Sequence, residues 1–380
     1  MSDHARKFGD CHFIYPNRYQ LSLDASIDWL LRSIRCGHGG SAGYFSLWRG
    51  WSRPYPETTG YIIPTLFSYA ELTGKEETRR IAFELGHWLR SIQEKDGYWH
   101  GGLHPPDSQN PSVFNTSQIV LGMISLYRAS NNEEWLNSAR KGVSWLVTGI
   151  NSDGVWEHGN YVDGYSPSYY SLVAWSILEV WSITGDEIFR ERASNVLSTI
   201  LQRCRPNGTI DHWGFRPNQP AFTHTIAYTI SGFFESARLL NDWESYGSPV
   251  AVALETLYHR AELNRGKLPG IYNNAWEPLG RFTCLTGNAQ VAFLLLQQYD
   301  RVNDLRLVNA ACKLSDVVVN AQNNKHPIEG IRGGISGSQP VWGKYMTLRY
   351  PNWAAKFHSD TMIQLIKTIS KIQKDILGDA

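Results

Sequence analysis

Six clusters of side chains in this sequence combine groups that move protons with groups that hold sugars or anions. They are Glu57, Thr58 and Tyr61; Asn115, Thr116 and Gln118; Tyr169 and Tyr170; His224, Thr225 and Tyr228; Cys284, Thr286 and Asn288; and Asn352, Trp353 and Lys356. The pairs Glu57/Tyr61, His224/Tyr228, Cys284/Asn288 and Asn352/Lys356 are spaced i, i+4, which sets both members on one helix face, one turn apart. One such cluster reads as a helix cap, because Thr, Asn and Glu are ordinary first-turn residues. Six of them in otherwise apolar helices predict a shared polar pocket. His224 and Tyr228 are the expected proton-transfer pair, with Tyr61 and Glu57 as further acid–base groups. Asn115, Asn288, Asn352, Lys356, Arg281 and Arg332 are expected to hold substrate, beside the rings of Trp99, Trp156, Tyr170 and Trp353.

The elements that carry these clusters repeat. Segments beginning near Pro56, Phe114, Ser168, Phe222 and Phe282 share one order: a polar cluster, an apolar helix, a short break, a second helix, and a Gly/Trp loop. A half-unit begins at Pro351. The first helix of each unit is apolar nearly all round, as in FNTSQIVLGMISLYRAS, and therefore buried on most faces. The second is amphipathic, as in EETRRIAFELGHWLRSIQ. Thr73-Gly74-Lys75, Asn131-Asn132, Thr184-Gly185-Asp186 and Asn241-Asp242 separate them as caps. With an amphipathic helix at Leu23 opening the series, the pattern predicts an all-α fold. It is an α/α toroid of about six helical hairpins, inner and outer rings alternating, as one domain over 1–380. Alternation makes the inner helices parallel, so their N-termini and the polar clusters meet at one end.

Converging N-termini favour anions. Arg281 precedes one inner helix, and Arg332 sits in GIRGGISGS, a stretch that matches neither a phosphate-loop nor a dinucleotide-binding pattern. It is expected to be a flexible loop over the cleft mouth. His87, His259 and His326 read as surface residues, while His100, His158 and His212 are expected near the mouth. Glu157, Asp163 and Asp211 are loop carboxylates at the same end.

Composition narrows the classes. The formal net charge of +1 gives no bulk field for nucleic acid. The five cysteines show no metal-ligand spacing and do not form a disulfide framework. No metal or cofactor is expected. The polar N-terminus MSDHARKFGD and the lack of any long apolar run predict a cytoplasmic chain without an integral membrane segment.

The stretch IAFELGHWLRSIQEKDGYW resembles the QW-type repeat of the terpene cyclase and prenyltransferase toroids, with Gln93, Gly97 and Trp99 in register. The acidic motifs DxDD and DDxxD are missing, so cyclase chemistry is not implied. The segments YPETTGYIIPT (55–65), VFNT (113–116), THTIAYT (223–229), CLTGNAQ (284–290), GIRGGISGS (330–338) and YPNWAAKF (350–357) resemble the bacterial VpsJ-like polysaccharide biosynthesis family, a group of prenyltransferase-like toroids. That resemblance implies a role in capsule or exopolysaccharide assembly. Toroidal polysaccharide lyases are similar in their chemistry, using Asn and Arg on a uronate carboxylate and His or Tyr on the C5 proton.

The expected activity is proton abstraction at a uronate, of C5-epimerase or lyase type, on an anionic oligo- or polysaccharide that is lipid-linked or growing. The alternatives are a glycoside hydrolase or transglycosylase using Glu57 with a loop carboxylate, and a non-catalytic glycan-binding assembly protein.

Overall fold

The computed structural model describes residues 16–378; Cys11 and the MSDHARKFGD stretch lie outside them. Six buried helices form a closed inner ring: α2 (Pro56–Thr73), α4 (Val113–Ser130), α6 (Ser171–Thr184), α8 (Thr223–Leu240), α11 (Leu285–Val302) and α13 (Asn352–Gly378). Each packs on the next, and α13 packs back on α2. Six helices surround them: α1 (Pro16–Cys36), α3 (Glu76–Ser91), α5 (Glu133–Thr148), α7 (Glu187–Leu201), α10 (Ser248–Leu263) and α12 (Leu305–Ala321). A single turn, α9 (Trp243–Tyr246), precedes α10. The expected all-α toroid is the observed fold.

The inner-to-outer breaks are caps, as their residue types dictate. Gly74, Asn131, Gly185, Asn241 and Asn303 each end an inner helix in the left-handed conformation. Asn132 and Asp304 then accept from Glu134 N and Arg306 N, at 3.0 Å each, to start the outer helix. The last helix is tied to the first unit at the other end of the barrel. There β1 (Tyr44–Ser46) pairs antiparallel with both β2 (Gly50–Trp51) and β3 (Arg349–Pro351), which closes the ring.

Two devices set the spacing of the rings. Gly97, Gly154 and Gly266 have positive φ and press against the backbone of the next outer helix, where a Cβ would collide with Lys141, Asn195 and Lys313 respectively. The amide of Gln93 fixes the first of these loops. Its Nε2 donates to Gly97 O and Ser138 O, while Oε1 accepts from Ser138 Oγ at 2.7 Å. Trp99 donates to Leu89 O at 2.8 Å, and Trp156 repeats the bond to Leu146 O at 2.9 Å. Glycines also draw the inner helices together. Gly60 faces Gly122, Gly232 faces Ser171, and Gly287 faces the backbone of His224.

Candidate functional site

A cavity of about 370 Å³ occupies the axis of the inner ring, within the range that holds small ligands. Each inner helix lines it with residues spaced three and four apart, so the lining falls into levels. Tyr61, Gln118, Tyr228, Gln290 and Lys356 form the floor. Pro64, Leu121, Trp175, Ser231, Phe293 and Asp360 form a belt above it, and Arg128, Glu179, Glu235, Gln297 and Lys367 form a rim. Tyr61 at the floor is 3% exposed, whereas the side chains of Arg128 and Lys367 at the rim are 50% and 43% exposed, around a buried Glu179. The mouth thus lies at the C-terminal ends of the inner helices.

This reverses one expectation. The N-terminal end, with its long loops, is filled by rings rather than open. Tyr55, Tyr169, Phe215, Phe222, Tyr345 and Trp353 pack there, with Tyr345 5.1 Å from Phe222 and 5.2 Å from His224, centroid to centroid. These aromatic side chains are large enough to plug that end of the barrel.

The acid–base residues gather at and just behind this floor: Tyr61, Tyr228 and Lys356 line the hollow, while His224 and Glu57 are buried behind them and do not line it. His224 lies 4.2 Å from the Tyr228 ring, and Tyr228 and Tyr61 each lie 5.6 Å from Phe357. Lys356 Nζ is 5.1 Å from the Tyr61 ring and pairs with Asp360 at 2.6 Å. Asp360 also accepts from Thr65 at 2.6 Å. Glu57, Tyr61, Tyr228 and His224 are all buried. Burial pushes the Glu57 carboxyl up to about 7, although a hydrogen bond from Tyr55 opposes the rise. Burial pushes the His224 imidazole down to about 4, opposed by its bond to Gln290. Tyr55, Tyr61, Tyr169, Tyr228 and Tyr345 are all driven well above the ordinary phenol value by burial, reinforced in each by the Glu57 charge or its neighbours. At neutral pH the floor and the layer behind it therefore hold a neutral imidazole, a carboxyl near its midpoint and un-ionised phenols.

The imidazole is oriented. Nδ1 sits 2.7 Å from Gln290 Oε1 and donates to it, leaving Nε2 with the lone pair. Nε2 of Gln290 is buried and makes no hydrogen bond, an unspent donor beside the cavity floor. This arrangement leaves a lone pair on His224 Nε2 and an un-ionised hydroxyl on Tyr228, so the two residues differ in what they can do chemically.

Several expected substrate-binding residues are placed elsewhere. Asn288 points away from the axis, donating to Gly266 O at 2.7 Å and accepting from Leu268 N at 3.4 Å. Asn352 donates to Ser41 Oγ and Thr58 Oγ1 at 2.9 and 2.8 Å, and Asn115 to His100 O at 3.2 Å. All three tie inner-helix N-termini to neighbouring loops, so the capping reading applies to them. Arg332 lies at the outer ring, where its carbonyl accepts from Arg32 and its guanidinium pairs with Glu329 at 3.2 Å. The GIRGGISGS loop is pinned, not free: Trp29 donates to Gly330 O and Gln322 to Gly333 O, both at 2.8 Å. Arg281 is exposed in a loop and lines no part of the hollow. Trp99, Trp156 and Tyr170 are buried behind the inner ring as packing, and Trp353 supports the roof by donating to the Tyr345 hydroxyl at 2.8 Å.

Removing those arginines changes the electrostatics. The lining holds Arg128, Lys356 and Lys367 against Glu179, Glu235 and Asp360, so its formal charges balance. The rim is a network: Glu179 binds Arg128 at 2.5 Å, Arg238 at 3.2 Å and Trp175 Nε1 at 2.8 Å. Glu235 accepts from Gln297 at 2.6 Å. Sequence reasoning missed this level. The signal was present, since Glu179 and Glu235 are acids late in apolar helices, where the dipole disfavours them.

An axial hollow inside two rings of alternating helices defines an α/α toroid with an internal ligand site. Among solved structures the chain resembles cellobiose 2-epimerase from Bacillus thermoamylovorans, at 13% identity and a TM-score of 0.75, over 93% of this chain and 99% of that one. It also resembles the unsaturated glucuronyl hydrolase of Bacillus sp. GL1, at 15% identity and a TM-score of 0.72, over 91% and 96%. These likenesses concern the fold. In sequence, 95 residues are 26% identical to squalene–hopene cyclase of Zymomonas mobilis, covering 22% of this chain and 13% of the cyclase. No protein-family model matches the chain, so the likeness to VpsJ-like proteins stands on its six segments alone.

Proposed function

We propose that this protein is a carbohydrate-active enzyme of bacterial polysaccharide biosynthesis that abstracts a proton from a sugar carbon acidified by a neighbouring carboxylate, as in a uronate C5-epimerase or lyase. The observation that carries this reading is the layer behind the floor: a neutral, oriented imidazole on His224 against the Tyr228 ring, and a buried carboxyl on Glu57 held near 7. Environments that push two titratable groups apart assign them as base and acid. His224 Nε2 takes the proton, and the Glu57 carboxyl or a floor phenol returns one. Lys356 and the spare Gln290 Nε2–H face the developing charge, the role first assigned to Asn288 and Arg332. Trp175 and Phe293 supply stacking faces for sugar rings in the belt, and the rim supplies partners for hydroxyls. The fold likeness to an epimerase and a glucuronyl hydrolase is in keeping with this chemistry. The same reading sets the enzyme in the cytoplasm, acting on a lipid-linked or growing glycan.

The test is solvent exchange. In deuterium oxide the wild-type protein incorporates deuterium at C5 of a uronate-containing oligosaccharide, and His224→Ala does not. A wild-type protein that never exchanges that proton ends the proposal.

A glycosidase reading draws on the same Glu57, protonated near neutrality. Its second carboxylate is the difficulty. Asp211 is held by Arg205 at 2.8 Å, Glu157 is exposed and bonded to Asn151, and Asp163 is exposed. Asp360 faces the cavity, but it bonds Thr65, eight residues along α2 from Glu57, roughly 12 Å of helix axis. Release of reducing ends that depends on Glu57 and not on His224 would select this reading over the first. A glycan-binding protein without catalysis would bind sugar through the floor and leave it chemically unchanged.

A further inference from the structure

The near-zero net charge conceals a local asymmetry at the ring-filled end of the barrel. Residues 41–56 and 336–353 contain Arg49, Arg53, Lys344 and Arg349 and no Asp or Glu. The two stretches are neighbours in space. β1 pairs with β3, Leu47 N donates to Leu348 O at 3.1 Å, and Leu348 N donates to Val341 O at 2.9 Å. Their tips carry side chains that a water-facing surface disfavours. Trp48 is 82% exposed, Trp342 70% and Leu47 39%. Arg49, Lys344 and Arg349 are exposed beside them. Arg53 is set apart from this group by its ion pair with Asp107 at 2.7 Å.

We infer that this aromatic and basic tip docks on an anionic lipid surface. Indole rings sit favourably at headgroup depth, with the ring in the acyl boundary and the N–H toward water. Flanking arginines and lysines attract anionic headgroups, and the absence of acids in both stretches removes the repulsion that would oppose them. No described helix is long and apolar enough to cross a membrane, so the contact is peripheral, made by two loop tips. Sugars also stack on indoles, but Leu47 offers a glycan neither a stacking face nor a donor, whereas it adds apolar area to a lipid contact. The tip lies at the N-terminal end of the inner helices. A docked molecule therefore turns its open mouth away from the lipid, toward water. The inference is independent of which reaction the floor performs.

The experiment is co-sedimentation of the full chain with phosphatidylcholine vesicles, with and without phosphatidylglycerol. The wild-type protein pellets with the anionic vesicles only, and added salt releases it. Arg49→Glu and Lys344→Glu each weaken binding by about fivefold or more. The double variant Trp48→Ser/Trp342→Ser loses binding while its thermal unfolding midpoint and its activity on soluble sugar stay unchanged. Failure of the wild-type protein to pellet with anionic vesicles overturns the inference. So does binding that these variants leave intact, retention on an acidic polysaccharide column in place of vesicles, or self-association through the same tip.

Discussion

Nδ1 of His224 lies 2.7 Å from Oε1 of Gln290, so one inner helix fixes the tautomer of a base carried by its neighbour. The contact spans α8 and α11, one turn beyond the point where Gly287 presses against the backbone of His224. Gln290→Leu is expected to keep the fold and to lower proton exchange about 10- to 100-fold, the usual cost of losing an orienting partner. Gln290→Glu should retain more activity, and its pH profile should shift because a carboxylate favours the imidazolium. Comparing the two variants across pH separates an orienting role from simple packing.

The buried acid and base make opposite contributions to stability. Glu57 rises from the ordinary 4.5 to about 7, so the folded state binds the extra proton and loses roughly 3 kcal/mol of stability as pH rises through that interval. His224 falls from 6.5 to about 4, so the unfolded state binds the extra proton and stability is lost as pH falls through that interval. Between about pH 4.5 and 6.5 the two slopes oppose each other. Glu57→Gln is expected to stabilise the protein at pH 8 and to steepen its loss in acid. His224→Gln is expected to lessen the loss of stability in acid, with no change at pH 8 from titration, where the imidazole is neutral in both states. Urea unfolding from pH 4 to pH 8 reads both slopes.

His358 adds a further loss on the acid side. It is buried with Nε2 2.8 Å from Ser22 Oγ, and burial pushes it down to about 3. His358→Gln should be less stable at pH 7 and less sensitive to acid below pH 6.5. A variant that keeps the wild-type acid profile would show that another group causes the loss.

Asn288 separates bracing from binding. Its side chain holds Gly266 O, Leu314 O and Leu268 N. Asn288→Ala is expected to cost about 2–3 kcal/mol of stability by leaving buried backbone groups unpaired. Its KM for sugar should stay unchanged at temperatures where it is folded. A raised KM with unchanged stability would return Asn288 to the substrate site.

These residues also show what the sequence could carry. Repeated apolar and amphipathic helices, with Gly and Asn at their ends, were enough to read the ring, because caps and periodicity are local properties. The meeting of Glu57, Tyr61, Tyr228, His224 and Lys356 followed from parallel inner helices. Side-chain direction did not follow. Asn288 and Tyr228 each sit one turn into an inner helix, yet one braces an outer loop and the other faces the axis. Helix rotation decides between them, and it is set by glycine contacts between distant segments. Arg332 was misplaced for a related reason: its loop starts at the outer ring, and the Trp29 and Gln322 bonds that hold it there join residues some 300 and 11 positions apart. The position of the mouth was also hidden, since long loops mark the end where rings close the barrel.

The most direct test is the structure of Glu57→Gln with a uronate-containing disaccharide bound. The account predicts a sugar on the cavity floor, its C5 within about 3.5 Å of His224 Nε2, its carboxylate against Lys356 and Gln290, and its second ring on Trp175 or Phe293. Sugar bound only among the outer loops, with the axial hollow empty, would contradict it.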